Sequence, residues 1–159
     1  VNHPVNRFNV RVYGLILDET GERVLVCNER LKDGSYAQKF PGGGVEFGEG
    51  VLDAWLRESK EELGCQPAMK SAQLFHTADP FVRSAFRKEE QVIALYYLFQ
   101  IQSDQDTTWT EEPASSPGGE PDVKVSWKCW RTLDYRTFRF LTDQTAVQKL
   151  QKRSGELSL

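Results

Sequence analysis

The stretch FNVRVYGLIL, residues 8–17, is the strongest constraint on how this chain folds. Read as a β-strand, it turns Val10, Val12 and Ile16 to one side and Tyr13, Leu15 and Leu17 to the other. Both sides are apolar, so both need cover. Such a strand belongs in the middle of a sheet with a packed layer above and below it.

The rest of the chain supplies those layers. DETGE and RVLVCNER complete a hairpin, with Gly21 in the turn. A glycine-rich loop follows at Gly42, Gly43 and Gly44. SAQLFHTA, QVIALYYLFQI and VKVSWKCW read as further strands. One helix is predicted over about 50–63, stopped by Gly64 and Pro67. A second, over about 143–153, carries Ala146, Val147 and Leu150 inward. Strands mixed with two helices, without alternating βαβ units, predict an α+β sandwich. The 159 residues fit one domain, 1–159. QSDQDTTWTEEPASSPGGEPD, over about 102–122, is acidic and broken by Pro113, Pro117 and Pro121, which predicts a long disordered loop or a solvated hairpin.

Composition excludes several function classes. The net charge of −3 argues against nucleic-acid and membrane partners. No apolar run approaches the roughly 20 residues that cross a bilayer. VNHPVNRFNV has no apolar core, so no secretory leader is expected in it. Cys27, Cys65 and Cys129 are far apart with no CxxC, as expected of reduced thiols in a cytoplasmic protein. His3 and His76 are the only histidines, which leaves little for a His-rich zinc site or a Ser–His–Asp triad. Chemistry here must lean on carboxylates.

They are concentrated in GGGVEFGEGVLDAWLRESKEELGC, residues 42–65. On a helical wheel Glu61 and Glu62 flank Glu58 one turn on. Leu52, Leu56 and Leu63 form a separate stripe with Trp55 at its border, predicted to pack on the sheet. Arg57 and Lys60 point off the acidic face. Like charges at these spacings destabilise a helix by roughly 0.2–0.5 kcal/mol per pair. A solvated acidic face is one reading. The other is a site for a hard divalent cation such as Mg²⁺, which takes oxygen ligands and bridges protein carboxylates to phosphates.

Gly43, Glu49, Arg57, Glu58, Glu61, Glu62 and Gly64 match, letter for letter, the Nudix box Gly-x5-Glu-x7-Arg-Glu-U-x-Glu-Glu-x-Gly-U, where U is apolar. Ser59 departs from the first U, beside the apolar stripe; Cys65 fills the second. The chain therefore resembles the Nudix family, and the arrangement of strands around the box extends the resemblance over most of its length. It implies a Nudix-type α/β/α sandwich with a mixed β-sheet. It also implies a hydrolase that cleaves a diphosphate linked to another moiety, often in a nucleoside derivative. By family likeness Glu58, Glu61 and Glu62 bind Mg²⁺ or Mn²⁺, with the Gly43 carbonyl as a further ligand. Arg57 orients a ligand Glu or pairs with Glu49. Such metals neutralise phosphate oxygens and lower the pKa of bound water. One Glu acts as general base; the loop candidates are Glu120 and Asp122.

The alternatives are a nucleotide-sensing module of the same fold that has lost catalysis, and a structural acidic helix with adventitious Ca²⁺ binding. The complete Arg57, Glu58, Glu61, Glu62 set favours an enzyme. For substrate, Pro80 lies where a proline resembles a marker of ADP-ribose pyrophosphatases; it also reads as a strand-ending proline in TADPF. Nucleoside triphosphates are the runner-up. RTLDYRTFRF sets Arg131, Arg136 and Arg139 among aromatics, either to hold a phosphate or base or as an amphipathic cap. Trp109 is a further base-stacking candidate. The expected partner is a small nucleoside diphosphate derivative, and a homodimer stays an open expectation.

Overall fold

A computed structural model of the chain describes residues 4–66, 68–102 and 108–153. His3 and Pro67, and part of the 102–122 loop, lie outside the described residues. The elements run β1 (Arg7–Leu17), β2 (Arg23–Arg30), β3 (Tyr36–Lys39), β4 (Gly42–Gly44), α1 (Val51–Leu63), β5 (Met69–Thr77), β6 (Glu90–Ile101), β7 (Ala114–Ser115), β8 (Val123–Cys129) and α2 (Leu141–Lys152). A 3₁₀ turn, Tyr135–Thr137, precedes α2.

One mixed sheet is ordered β5-β6-β1-β2-β8-β7, with β3 added to β2 and β4 to β1. β1 is central, as its two apolar faces require. It pairs in parallel with β6 from Arg7–Glu90 to Leu17–Gln100. Its two faces build two cores. Tyr13, Leu15 and Leu17 meet Ala146, Val147 and Leu150 of α2, with Phe40, Tyr96 and Phe138. Val12 and Ile16 meet Ala54, Trp55 and Leu63 of α1, with Phe99 and Trp127. The α/β/α sandwich follows from that one strand.

β1 and β2 are joined at the hairpin, at Leu17–Val24, and then diverge. β4 closes on β1 through Gly42–Tyr13, Gly43–Val12 and Gly44–Arg11. β3 closes on β2, with Lys39 opposite Cys27. The expected glycine loop is therefore a short strand. Divergence of the hairpin slots the segment 36–44 beneath α1, where its side chains and backbone can meet the acids.

The packing face of α1 is not the leucine stripe. Leu52 and Leu56 are exposed, and the buried positions are Ala54, Trp55, Ser59, Glu62 and Leu63. Trp55 decides the rotation by stacking on Phe99 with ring centroids 3.9 Å apart. Ser59 sits in the buried face rather than beside it, its hydroxyl donating to the Leu56 carbonyl at 3.2 Å.

The described part of the polar loop is mostly exposed, pairs through β7 with β8, and is pinned by two buried residues, Trp109 and Ser116. Trp109 is buried edge-on against Trp127, which removes it as a base-stacking candidate. Its indole N–H donates to Ser116 Oγ at 3.1 Å, and that hydroxyl donates to the Leu63 carbonyl at 2.5 Å. The loop thus straps the C-terminal end of α1, whose last carbonyls need partners. The three cysteines are unpaired. Among the described residues no helix is long and apolar enough to cross a membrane.

Candidate active site

β4 brings its backbone directly under the acidic helix. A Cβ on Gly43 would stand 2.7 Å from both carboxylate oxygens of Glu58, so the approach requires glycine. At the other end of α1, Gly64 takes φ 72°, the left-handed C-cap conformation.

Arg57 is the hub of the exposed half of the site. Its Nε and Nη2 donate to the two oxygens of Glu49 at 2.5 and 3.1 Å. Nη2 also donates to the Gly44 carbonyl at 3.1 Å, and Nη1 to Glu58 at 2.9 Å. Glu61 lies 3.9 Å from Nη1, with its side chain half exposed. The forked guanidinium thus ties the strand, the linker and the helix together. Its hydrogen bonds lower the pKa of Glu49 and raise that of Arg57. Arg57 therefore does not point off the acidic face; it folds back onto Glu58.

Glu62 goes the other way. It is 6% exposed and turns toward Lys39 of β3, whose ammonium donates to Oε1 at 3.1 Å. The Gly42 N–H donates to the same oxygen at 3.4 Å. Oε2 has no hydrogen-bond partner. Burial pushes the Glu62 pKa up to about 7, against the pull of Lys39 and the Gly42 N–H. Burial works to lower Lys39, but Glu62 and Glu29 outweigh it and its pKa is raised. So the three carboxylates do not share one repelling face: two gather at Arg57 and one is neutralised from below. Sequence reading missed Lys39, 23 positions from Glu62; the signal was a lysine at an inward position of a strand reading YAQK.

The other expected residues scatter. The Glu120 N–H donates to the Glu62 carbonyl at 3.2 Å, and the Asp122 carbonyl accepts from the Arg30 N–H at 2.8 Å; both side chains are exposed. Arg136 is exposed and bound by its neighbour Asp134 at 2.9–3.0 Å. Arg131 stacks on Trp130 at 4.4 Å and Arg139 on Phe140 at 6.0 Å. This segment packs on the α2 side of the sheet through Leu133, Tyr135 and Phe138, which fits the cap reading. Pro80 is exposed, three residues beyond the end of β5. The loop it opens supplies Ser84, Phe86 and Arg87 to a cleft of about 560 Å³. Phe8, Arg11 and the linker 45–47 form the opposite wall, and that linker runs directly from β4 toward α1.

The family model of the NUDIX domain matches residues 7–146. This chain belongs to the Nudix family. The Nudix hydrolase of Nitrosomonas europaea superposes with a TM-score of 0.66 at 16% identity, over 94% of this chain and 90% of that one, which is a likeness of fold. The MutT Nudix hydrolase of Burkholderia pseudomallei superposes with a TM-score of 0.62 at 25% identity, over 92% and 98%. The RNA pyrophosphohydrolase of Ruthia magnifica subsp. Calyptogena magnifica is 41% identical over 51 residues, 32% of this chain. The match spans only 27% of that relative's length.

A divalent ion, which Nudix hydrolases generally need, suits the donors of this box. Glu58, Glu61 and Glu62 offer hard carboxylate oxygens, and Glu62 Oε2 is buried and unpartnered. Gly43 leaves the space in which Glu58 lies against the backbone. Among the described residues no three acidic, His or Cys side chains are gathered closely enough to hold an ion as they stand. Lys39 accounts for the third acid.

Proposed function

We propose that this Nudix chain is a hydrolase, dependent on Mg²⁺ or Mn²⁺, that cleaves the diphosphate of a nucleoside diphosphate linked to another moiety, of the ADP-ribose or nucleotide-sugar type. The observation that carries the reading is the Arg57 hub, which fixes Glu58 beside Gly43 and Gly44 while leaving Glu61 open to solvent. When bound by Glu58, Glu61 and Glu62, the metal would neutralise phosphate oxygens and make a bound water acidic. The chain's own residues do the positioning. Glu49 holds Arg57, and Arg57 holds Glu58 through a hydrogen bond of 2.9 Å. Glu61, with no direct hydrogen bond to a cation, is free to accept a proton from an attacking water. The cleft beside the linker 45–47 has the volume of a small-molecule site, and the exposed rings of Phe8, Phe47 and Phe86 offer stacking surfaces for a base. Pro80 opens the loop that forms one wall of that cleft, which supports the ADP-ribose type.

A substrate panel tests this: ADP-ribose, nucleotide sugars, dinucleoside polyphosphates, dGTP and ATP, each with Mg²⁺, Mn²⁺ or EDTA. The local likeness to an RNA pyrophosphohydrolase adds RNA with a 5′-triphosphate as the second class to try. The expected result is metal-dependent turnover with the highest kcat/KM on ADP-ribose. A clear preference for a triphosphate overturns the substrate class. Turnover in chelator, or none on any compound, overturns the hydrolase reading.

A further inference from the structure

Lys39 is in an unusual place for a lysine. It ends β3 on the inward side, next but one to buried Ala37, and is 8% exposed. A buried ammonium is tolerated only with close partners. It has two: Glu62 at 3.1 Å and Glu29 at 3.5 Å. Glu29 sits on β2, and its side chain keeps 40% exposure. Glu62 is the only one of the three box acids held by a lysine, and its second oxygen faces no donor. The oxygen that Lys39 occupies belongs to the same carboxylate that the box offers to a divalent ion. Lys39 on Oε1 and an ion on Oε2 would draw on the same single negative charge, so each cation weakens the hold of the other.

We propose that Lys39 is a resident counter-cation for Glu62, competing with the divalent ion for that carboxylate and so setting how tightly the box binds metal. Lys39 is a positioning residue that acts through Glu62. This rests on the reading of Glu58, Glu61 and Glu62 as metal-binding acids. Two features make the competition workable. In the metal-free protein Lys39 spares the fold an uncompensated buried carboxylate. When Glu62 turns to the ion, Glu29 keeps the ammonium partnered on its other side. The flexible four-carbon stem of lysine allows that adjustment, which a rigid guanidinium fork would resist.

The test is Mn²⁺ binding to the full chain by calorimetry, in wild type, Lys39→Gln, Glu62→Gln and the double variant. Lys39→Gln is expected to bind Mn²⁺ tighter by roughly tenfold, the lower end of what partners of metal ligands contribute. In the Glu62→Gln background the same change is expected to alter affinity by less than about twofold, because the competed carboxylate is gone. Equal tightening in both backgrounds would mean a through-space charge effect and would overturn the proposal, as would unchanged or weaker binding in Lys39→Gln. Should Lys39→Gln fail to fold, Lys39→Arg keeps the charge and grips Glu62 with a fork. It is expected to weaken Mn²⁺ binding several-fold, and unchanged affinity there overturns the proposal. A wild type that binds no Mn²⁺ sinks the metal-site reading and this inference together. A wild type that binds Mn²⁺ and turns over substrate, with no Lys39 effect, sinks only the inference.

Discussion

Asp143 should make this protein less stable as the pH rises. It is the third residue of α2, 1% exposed, and lies among the rings of the α2-side core. Among the described residues its side-chain hydrogen bond is from the Tyr96 hydroxyl, at 2.5 Å. Burial pushes its pKa from 3.8 up to about 7, against the Tyr96 bond and the more distant attraction of Lys39 and Arg11. The folded state therefore holds this proton more tightly than the unfolded chain does. The stability it confers is complete below about pH 4 and is lost as the pH climbs through about 7. At 1.36 kcal/mol per decade, the interval from 3.8 to about 7 amounts to about 4 kcal/mol. Asp143→Asn mimics the neutral form at every pH. Against the protonated carboxyl the amide should cost about 1 kcal/mol, for an N–H₂ without a partner. By pH 5 wild type has already lost roughly 1.6 kcal/mol of the 4, so there the two proteins should lie within about 1 kcal/mol of each other. At pH 8 it should instead be more stable than wild type by about 3 kcal/mol. Urea unfolding of both proteins at pH 5 and pH 8 measures this. The difference between the two mutant effects cancels Glu62, which titrates in the same range. If Asp143→Asn destabilises equally at both pH values, the carboxyl is ionised throughout and the reasoning fails.

Glu61→Gln should lose turnover by on the order of 10²–10⁴-fold while leaving the thermal midpoint within about 2 °C, since its side chain is half exposed; steady-state kinetics and a thermal melt check both halves. Ser116→Ala should strand the buried Trp109 N–H and the Leu63 carbonyl, at a cost of about 1–3 kcal/mol. In a chain of this size that is a Tm drop of about 3–10 °C, and a drop below 1 °C would mean the loop does not brace α1.

The long elements were legible because their patterns are intrinsic. The two-faced strand became the centre of the sheet, and the box helix ran from Val51 to Leu63 between Gly50 and Gly64. The two short strands were not legible. YAQK and GGG carry no period long enough to read, and they pair only because β1 and β2 part company beyond Leu17–Val24. The rotation of α1 misled for a related reason. Three leucines suggest a face, but Trp55 outweighs them once Phe99 is beneath it. In the site, the order of the acids was readable, whereas their unequal burial was not. The expected mutual repulsion of Glu58, Glu61 and Glu62 assumed equal exposure, and Lys39 reaches Glu62 from another element. Trp109 and Ser116 sit in a segment of polar composition, and nothing local marks them as anchors.

The parallel pairing of β1 with β6 also sets the order in which the molecule can assemble. Every partner of β1 on that side lies 83 positions downstream, from Arg7–Glu90 onward. β2 waits longer still for β8, with Val24 opposite Lys128. Loop closure over such spans is slow compared with forming a helix or a local hairpin. The box helix therefore leaves the ribosome well before Phe99, the floor on which Trp55 stacks, exists. During synthesis the acidic segment is an exposed, marginal helix, and its final geometry is acquired only when the last strand arrives.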